Sequence, residues 1–539
     1  MVGARGASTG RDLMRTSIAV PKHGLFLVPT ALVAGAGLAA LQPGPWWIGW
    51  LGFSILLLAG LALLAAVWHW AGGGASMEWM IGLALVLRLA AGLATYLALP
   101  IDGHNVPDDK AGYVFTDAHR RDDQAWELAQ SGKTLFAAFD KTYYTDQYGG
   151  LLALSALTYK VFSPDMHRPL MIVLLAALAA ALGMPFLLRA TQLLWNDRLA
   201  AAATWLAVLY PESLLTGGAQ MREPFLLTFI SMALWGFAEW IQADERKGWV
   251  WIGAGLLGML LVSPAIGLAT VVLLGGWLWL RGEHRRLPWP VLAALAGVVL
   301  LGLLFLAWSV SRQHDFNASS PVGVILNWMR GSVKWVIYEL ERGSGQIQNV
   351  FSKMNPLAQF LFVVGYGIAQ PVLPPAFFAP TTLTWHVIAV FRALGWYLVL
   401  PLLLYAPIAA WRAREAGERR TWLWLTSFSW VWILICAIRA GGDQWDNPRY
   451  RLIFFGVEAL AAGYAWIYWR ERRDPWLPRI VALEVACVVL FGQWYIARYY
   501  LIGIHLPIMV VLALALAFTA CILIGGWLWD GIRARKRPA

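Results

Sequence analysis

Charge is what this chain has least of. Of its 539 residues only 14% are Asp, Glu, Lys or Arg, whereas 59% are hydrophobic; soluble domains carry about 25% charged residues. That shortage excludes a string of soluble domains, which the length alone would allow. Cysteine is nearly absent as well. Cys436, Cys487 and Cys521 all lie in apolar blocks and form no CxxC, which excludes a disulfide framework and reads them as small buried hydrophobes. Strand-type alternation is missing, so the chain is not a membrane barrel. His104, His119, His167 and His314 form neither HExxH nor a close cluster, so no metal site is assigned.

What the chain does have is apolar sequence in long blocks. Each is long enough to cross a ~30 Å hydrocarbon core, which takes about 20 residues of helix. The reading is an all-α polytopic membrane protein. The net charge of +11 does not point to nucleic acid, because no recognition pattern accompanies it; Lys and Arg concentrate in short loops, as the positive-inside rule requires. The 33 tryptophans, for example Trp46, Trp47 and Trp50, fit belts at the headgroup level. The sequon Asn317-Ala318-Ser319 is too short and common a pattern to assign.

Spans are expected near 24–42, 46–69, 78–100, 168–189, 199–215, 222–242, 248–264, 266–281, 289–309, 386–409, 421–438, 452–470, 478–497 and 506–528, about fourteen in all. The first is too long for a signal peptide and lacks a convincing cleavage site. The basic tail and the loops carrying Arg281, Arg285 and Arg286, Arg412 to Arg420, and Arg470 to Arg479 put both termini in the cytoplasm of an inner (plasma) membrane protein. Residues 101–167 and 310–385 then lie outside. The second of these holds an amphipathic run around Trp328 and Trp335, and its apolar stretch 357–379 is cut by prolines into a re-entrant hairpin or two short helices. Four regions result: 1–77 with two extra spans, a core 78–309 with the first external loop 101–167, the region 310–385, and the C-terminal spans 386–539.

Polar groups gather in three external stretches. RRDDQAWELAQSGK, residues 120–133, reads as a helix starting near Asp122. Its dipole would favour an ionised base there; the plainer alternative is an N-cap. Trp126 would lay that helix on the membrane. GGAQMREPF places Arg222 and Glu223 at the mouth of a span, snorkelling to water or folding inward. GGDQWDNPRYRLIFF sets Arg449 and Arg451 around Tyr450 at an outer span end, against the charge trend. Arginine there suits an anionic ligand such as phosphate, or pairs with Asp443 and Asp446. Arg88, Glu458 and Glu484, deep in apolar blocks, are expected to form internal pairs, whereas Arg392 snorkels. Asp117, Asp122 and Asp123 can together hold a divalent cation, but nothing demands a cofactor.

The order of three stretches resembles the GT-C glycosyltransferase superfamily, in particular its bacterial dolichyl-phosphate-mannose-protein mannosyltransferase-like branch, which includes aminoarabinose transferases. They are RDDQAWELAQSGK, the segment from His167 to Leu227, and NPRYRLIFF. The resemblance implies a GT-C-like fold and an inverting transfer of a sugar from a polyprenyl-phosphate donor to a lipid, glycan or protein acceptor on the extracytoplasmic side. It gives Asp122 the place of general base with Asp123 in reserve, and Arg449, Arg451 and Tyr450 the donor phosphate. Arg222 and Glu223 order the site, with Tyr148, Asp146 and Trp126 in the aromatic-rich first loop facing sugar. A transporter or flippase for a lipid-linked saccharide is the alternative, with a polysaccharide polymerase or ligase as a further one.

Overall fold

The computed structural model describes residues 24–143, 148–243, 247–281 and 351–535, with the single positions 297, 300 and 304. The expected span 289–309 and the amphipathic run at 328–340 therefore lie almost wholly outside the described residues. Within them the chain is helical throughout, without a strand. Helix α1 covers Gly24–Ala40, α2 Trp46–Trp70, α3 Ala75–Asp102, α4 Pro107–Lys110, α5 Thr116–Gln130 and α6 Gly150–Phe162. Then come α7 Leu170–Leu194, α8 Asp197–Leu209, α9 Pro211–Gly217, α10 Glu223–Ala243, α11 Gly248–Val262 and α12 Pro264–Arg281. The C-terminal part holds α13 Pro356–Ala369, α14 Leu373–Phe378, α15 Leu383–Trp411, α16 Ala416–Ala440, α17 Asp446–Leu452, α18 Phe455–Arg472, α19 Trp476–Tyr500 and α20 Ile508–Arg535.

Among the described residues nine helices are long and apolar enough to cross a membrane, or eleven if two bent pairs each count as one span. The chain is thus a multi-pass membrane protein, with fewer described spans than the fourteen expected. The stretch 357–379 holds two short helices, α13 and α14. Burial ranks the spans. The apolar windows of α7 and α10 are 83% buried and form the centre, whereas α19 and α20 are 17% and 11% buried and face outward. With no hydrophobic drive between helices in lipid, close backbone approach replaces it. A Cβ on Gly92 of α3 would stand 2.4 Å from the carbonyl of Gly218, and one on Gly236 of α10 would stand 2.4 Å from that of Gly248.

Two bent pairs carry the architecture toward its functional end. Pro211 begins α9 at 56° to α8, and α17 meets α18 at 76°. A proline has no N–H for the carbonyl four residues back, so Pro211 frees Ala207. Arg88 supplies the donor: its guanidinium reaches the carbonyls of Ala207 (3.0 Å) and Val208 (3.3 Å) and the Ser213 hydroxyl (2.6 Å). The expected acid partner for Arg88 is therefore replaced by the end of a broken helix. Pro371 likewise offers no donor to Gly367, whose carbonyl accepts from the Gln370 amide at 3.3 Å and from Asn447 Nδ2 at 2.9 Å. Arg451 donates to the carbonyls of Ile368 and Gln370 beside it. Neither Glu458 oxygen accepts a hydrogen bond among the described residues, so the expected ion pair is not formed there.

Arg392 does not snorkel. Its side chain is 2% exposed and forms a two-point ion pair with Glu212 at 2.6 and 3.0 Å, with its face over Trp445. This pair fixes α9 to α15. Removing one partner of a buried pair leaves an unpaired charge and costs about 3–5 kcal/mol, while an apolar replacement of both costs far less. Arg392→Met is expected to lower the melting temperature of the detergent-solubilised protein strongly. The double variant Arg392→Met, Glu212→Leu should recover most of that loss; a double variant melting no higher than the single one would contradict the assignment.

Candidate functional site

Helix α5 begins at Thr116, after Phe115 in extended conformation (φ −119°, ψ 124°). The acid in its first turn is Asp117, so Asp122 stands in the second turn and is not the helix start the sequence suggests. The dipole argument belongs to Asp117 instead. Nor does α5 lie flat on lipid through Trp126. That ring stacks on His167 at 5.5 Å and meets Tyr159 of α6 edge-on at 5.7 Å, because α5 buries Ala125 and Leu128 with Leu152 and Ala156 of α6.

Asp122 is sealed in this interface, its side chain 0% exposed. One oxygen accepts from the Tyr113 hydroxyl (2.6 Å) and faces His167 Nε2 (2.9 Å); the other accepts from the Tyr159 hydroxyl (2.5 Å). Burial and the adjacent Asp122 charge push the Tyr113 phenol well up, so it stays a donor. Asp123 points the other way, 58% exposed and 3.4 Å from His119 Nε2. Burial raises its carboxyl, and the neighbouring acids Asp122 and Asp108 add to this against His119 and His167. His119 Nδ1 is 2.7 Å from Asp108, which also accepts from Thr116. Burial raises the Asp108 carboxyl, but the Thr116 and His119 contacts outweigh it and hold it low.

A second cluster gathers around Arg449 of α17, 4% exposed. Its guanidinium lies 2.9 Å from Asp446, 3.2 Å from Asp117 of α5 and 3.4 Å from Glu223 at the start of α10. Glu223 is fully buried. The rings of Phe115 and Tyr450 flank Arg449, and Tyr450 donates to Asp446 at 3.1 Å. Arg439 approaches the Tyr450 ring, and Arg222 lies over Tyr148 at 5.5 Å. Asp443, in the turn before α17, accepts from the amides of Trp445 and Asp446; burial raises its carboxyl. Behind α5, Arg121 donates to the Gln220 carbonyl at 2.9 Å.

Of the residues expected from sequence, the fold brings Arg449, Tyr450, Arg222, Glu223 and Tyr148 together at one end of the bundle with Asp117. Asp122, Asp123 and Trp126 lie along the same α5. Arg451 is not with them; it is 1% exposed, turned toward α13, with its guanidinium 3.7 Å from the Trp396 ring centre. Asp146 lies outside the described residues. Asp117, Asp122 and Asp123 have separate partners, and among the described residues no three His, Cys, Asp or Glu converge as a metal site. Sequence reasoning passed over Tyr113, Tyr159, His167 and Asp108. Tyr159 sits in an apolar run without any marker, and the histidines were weighed only as metal ligands.

No protein-family profile and no curated protein matches this chain. Two solved structures are similar in outline. One is the archaeal oligosaccharyltransferase AglB from Archaeoglobus fulgidus in complex with an inhibitory peptide and a dolichol-phosphate (15% identity, TM-score 0.36, 83% of this chain and 54% of that one). The other is the Archaeoglobus fulgidus oligosaccharyltransferase in its apo form (15% identity, TM-score 0.37, 83% and 55%). The chain spans about half the length of these structures.

The acid side of the Arg449 cluster gives a pH signature. Burial raises the Asp117 carboxyl, but Arg449, Arg121 and Arg222 together outweigh it and set it below its ordinary 3.8. A depressed folded value means the contribution is complete above 3.8 and is lost as pH falls through the folded value. The melting-temperature gap between wild type and Asp117→Asn should be full at neutral pH and close in that acid window. A gap independent of pH would contradict the contact.

Proposed function

We propose that the chain is an inverting glycosyltransferase that moves a sugar from a polyprenyl-phosphate carrier to an acceptor at the extracytoplasmic face of the inner membrane. The observation that carries this reading is the Arg449 cluster, which joins α17 to Asp117 of α5 and to Glu223 of α10. A lipid-borne phosphosugar needs a cation-rich site at the end of a helix bundle, where its tail stays in lipid and its phosphate meets guanidinium groups. Arg449, Arg222 and Arg439, with Tyr450 between the first and last, supply the guanidinium groups, and Asp446, Asp117 and Glu223 balance the charge of Arg449 until a phosphate enters. The basic loops at the opposite ends of the spans support the sidedness.

In this reading the acceptor oxygen attacks the anomeric carbon from the face opposite the phosphate. The bond from carbon to phosphate oxygen breaks, and the electron pair leaves with the lipid phosphate. The arginines stabilise charge growing on that leaving group. Asp122 and Asp123 belong to the acceptor side, where the hydroxyl proton must be taken up. The chain in this reading is a GT-C glycosyltransferase of the bacterial dolichyl-phosphate-mannose-protein mannosyltransferase-like branch, with a lipid, glycan or protein as acceptor.

Bent helices are also a feature of transporters, whose spans break near the bilayer midplane beside the substrate. Here α18 has 18 residues of its own beyond the bend, close to the ~20 needed to cross. The α17–α18 break therefore sits near a span end, which suits a site at the interface better than a mid-membrane gate.

Purified protein in lipid nanodiscs, given a panel of polyprenyl-phosphate sugars with candidate acceptors, is expected to release free polyprenyl phosphate. Arg449→Gln should lower kcat by about a hundredfold, with the melting temperature checked alongside. No release from any donor, together with movement of labelled donor across liposomes, would replace this reading by the flippase.

A further inference from the structure

The acid pair on α5 leaves the proton acceptor unassigned in chemical terms. Asp122 has no exposed surface, and three donors occupy its oxygens. A substrate hydroxyl has no path to it. Its most accessible partner is His167, whose side chain is 23% exposed. We propose, on the glycosyl-transfer reading above, that His167 is the base that takes the acceptor's proton and that Asp122 is the residue that positions it.

The heavy-atom geometry sets the roles. A carboxylate only accepts hydrogen bonds, so the His167 nitrogen facing Asp122 at 2.9 Å, Nε2, carries the hydrogen. The lone pair then sits on Nδ1, which has no hydrogen-bond partner among the described residues. This is the division of labour by which a buried aspartate holds an imidazole in one tautomer and stabilises the imidazolium formed when it accepts a proton. The two tyrosine hydroxyls keep Asp122 fixed, and Trp126 stacks on the imidazole at 5.5 Å.

The segment bearing His167 is also pinned. Arg168, 1% exposed, bonds both oxygens of Asp165 (2.7 and 2.8 Å), the Ser163 hydroxyl (2.7 Å) and the Pro45 carbonyl (3.2 Å). That is the supporting shell a preorganised base requires. The charged and titratable groups around the ring are Asp122 and Asp123 of α5, Tyr159 of α6, and Tyr113 through Asp122; the neighbouring Arg168 is neutralised by Asp165. In the step, Nδ1 takes the hydroxyl proton as the oxygen–carbon bond forms. The phosphate departs with its electron pair, and the imidazolium returns its proton to solvent.

Two measurements test this. Nitrogen NMR of protein labelled with ¹⁵N-histidine, in nanodiscs at neutral pH, reads the tautomer without turnover. The pair predicts His167 held as the Nε2–H form, and a mixture of tautomers in Asp122→Asn; a mixture already in wild type overturns it. In the transfer assay, His167→Gln should lower kcat about a hundredfold or more with little change in KM, and should abolish the acid limb of the pH–rate profile. Asp123→Asn should keep that limb. Wild-type rate and profile in His167→Gln, or loss of the limb only in Asp123→Asn, overturns His167 as the base. Wild type inactive on every donor strikes the glycosyl-transfer reading and the base role with it, while the tautomer still decides whether Asp122 orients the ring.

Discussion

Inside a packed apolar bundle water is scarce, so a carbonyl that a proline leaves without its helical donor needs one from elsewhere in the protein. This constraint governs the bundle. Pro211 and Pro371 each end a helix inside the structure, and Arg88, Asn447 and Arg451 answer them. Arg88 and Arg451 are thus held by broken backbone, whereas Arg392 is held by Glu212. What the breaks allow is two short helices, α9 and α17, set at steep angles to their spans. Those helices carry Glu212 and Arg449.

From this scaffold the site follows. The Glu212–Arg392 pair locks α9 against α15 and presents Trp445 over the guanidinium. Trp445 in turn meets Phe115 and Trp385 edge-on, which gives the start of α5 an aromatic floor. Asn447 and Arg451 anchor α17 through the end of α13, leaving Arg449 on that helix to face Asp117 and Glu223. Two arginines separated by one tyrosine therefore divide their work. Arg451 faces inward and holds backbone; Arg449 faces the acids and, in the proposed reaction, the phosphate. One turn and a half along α5, the Asp122 clamp ties the same helix to α6 and to the segment bearing His167.

Much of the scaffold was legible in the sequence. Apolar block length alone locates α1 to α3, α7, α10, α12, α15, α16, α19 and α20, since a span needs little beyond length and hydropathy. The prolines of 357–379 marked a break there but left a re-entrant hairpin and two short helices both open. Partners were less legible. Arg88 gave no hint that it would take carbonyls, because a freed carbonyl leaves no mark at the position of its donor. Arg449 and Arg451 looked equivalent, since a two-residue step on a helix turns the side chains to different sides only once the helix is known. The start of α5 was misplaced from Thr116 to Asp122 because Asp is a common cap. That error made a sealed carboxylate look like an exposed base.

The central claim is that a lipid-borne phosphate sits where α5, α10 and α17 meet. A polyprenyl phosphate carrying a photoreactive diazirine beside its phosphate, added to the protein in nanodiscs, tests it most directly when the labelled peptides are mapped by mass spectrometry. The account predicts label on Thr116–Gln130, Asp446–Leu452 and the first turn of α10, competed away by unlabelled polyprenyl phosphate. Label confined to the outward-facing α19 and α20, unchanged by competition, would contradict it.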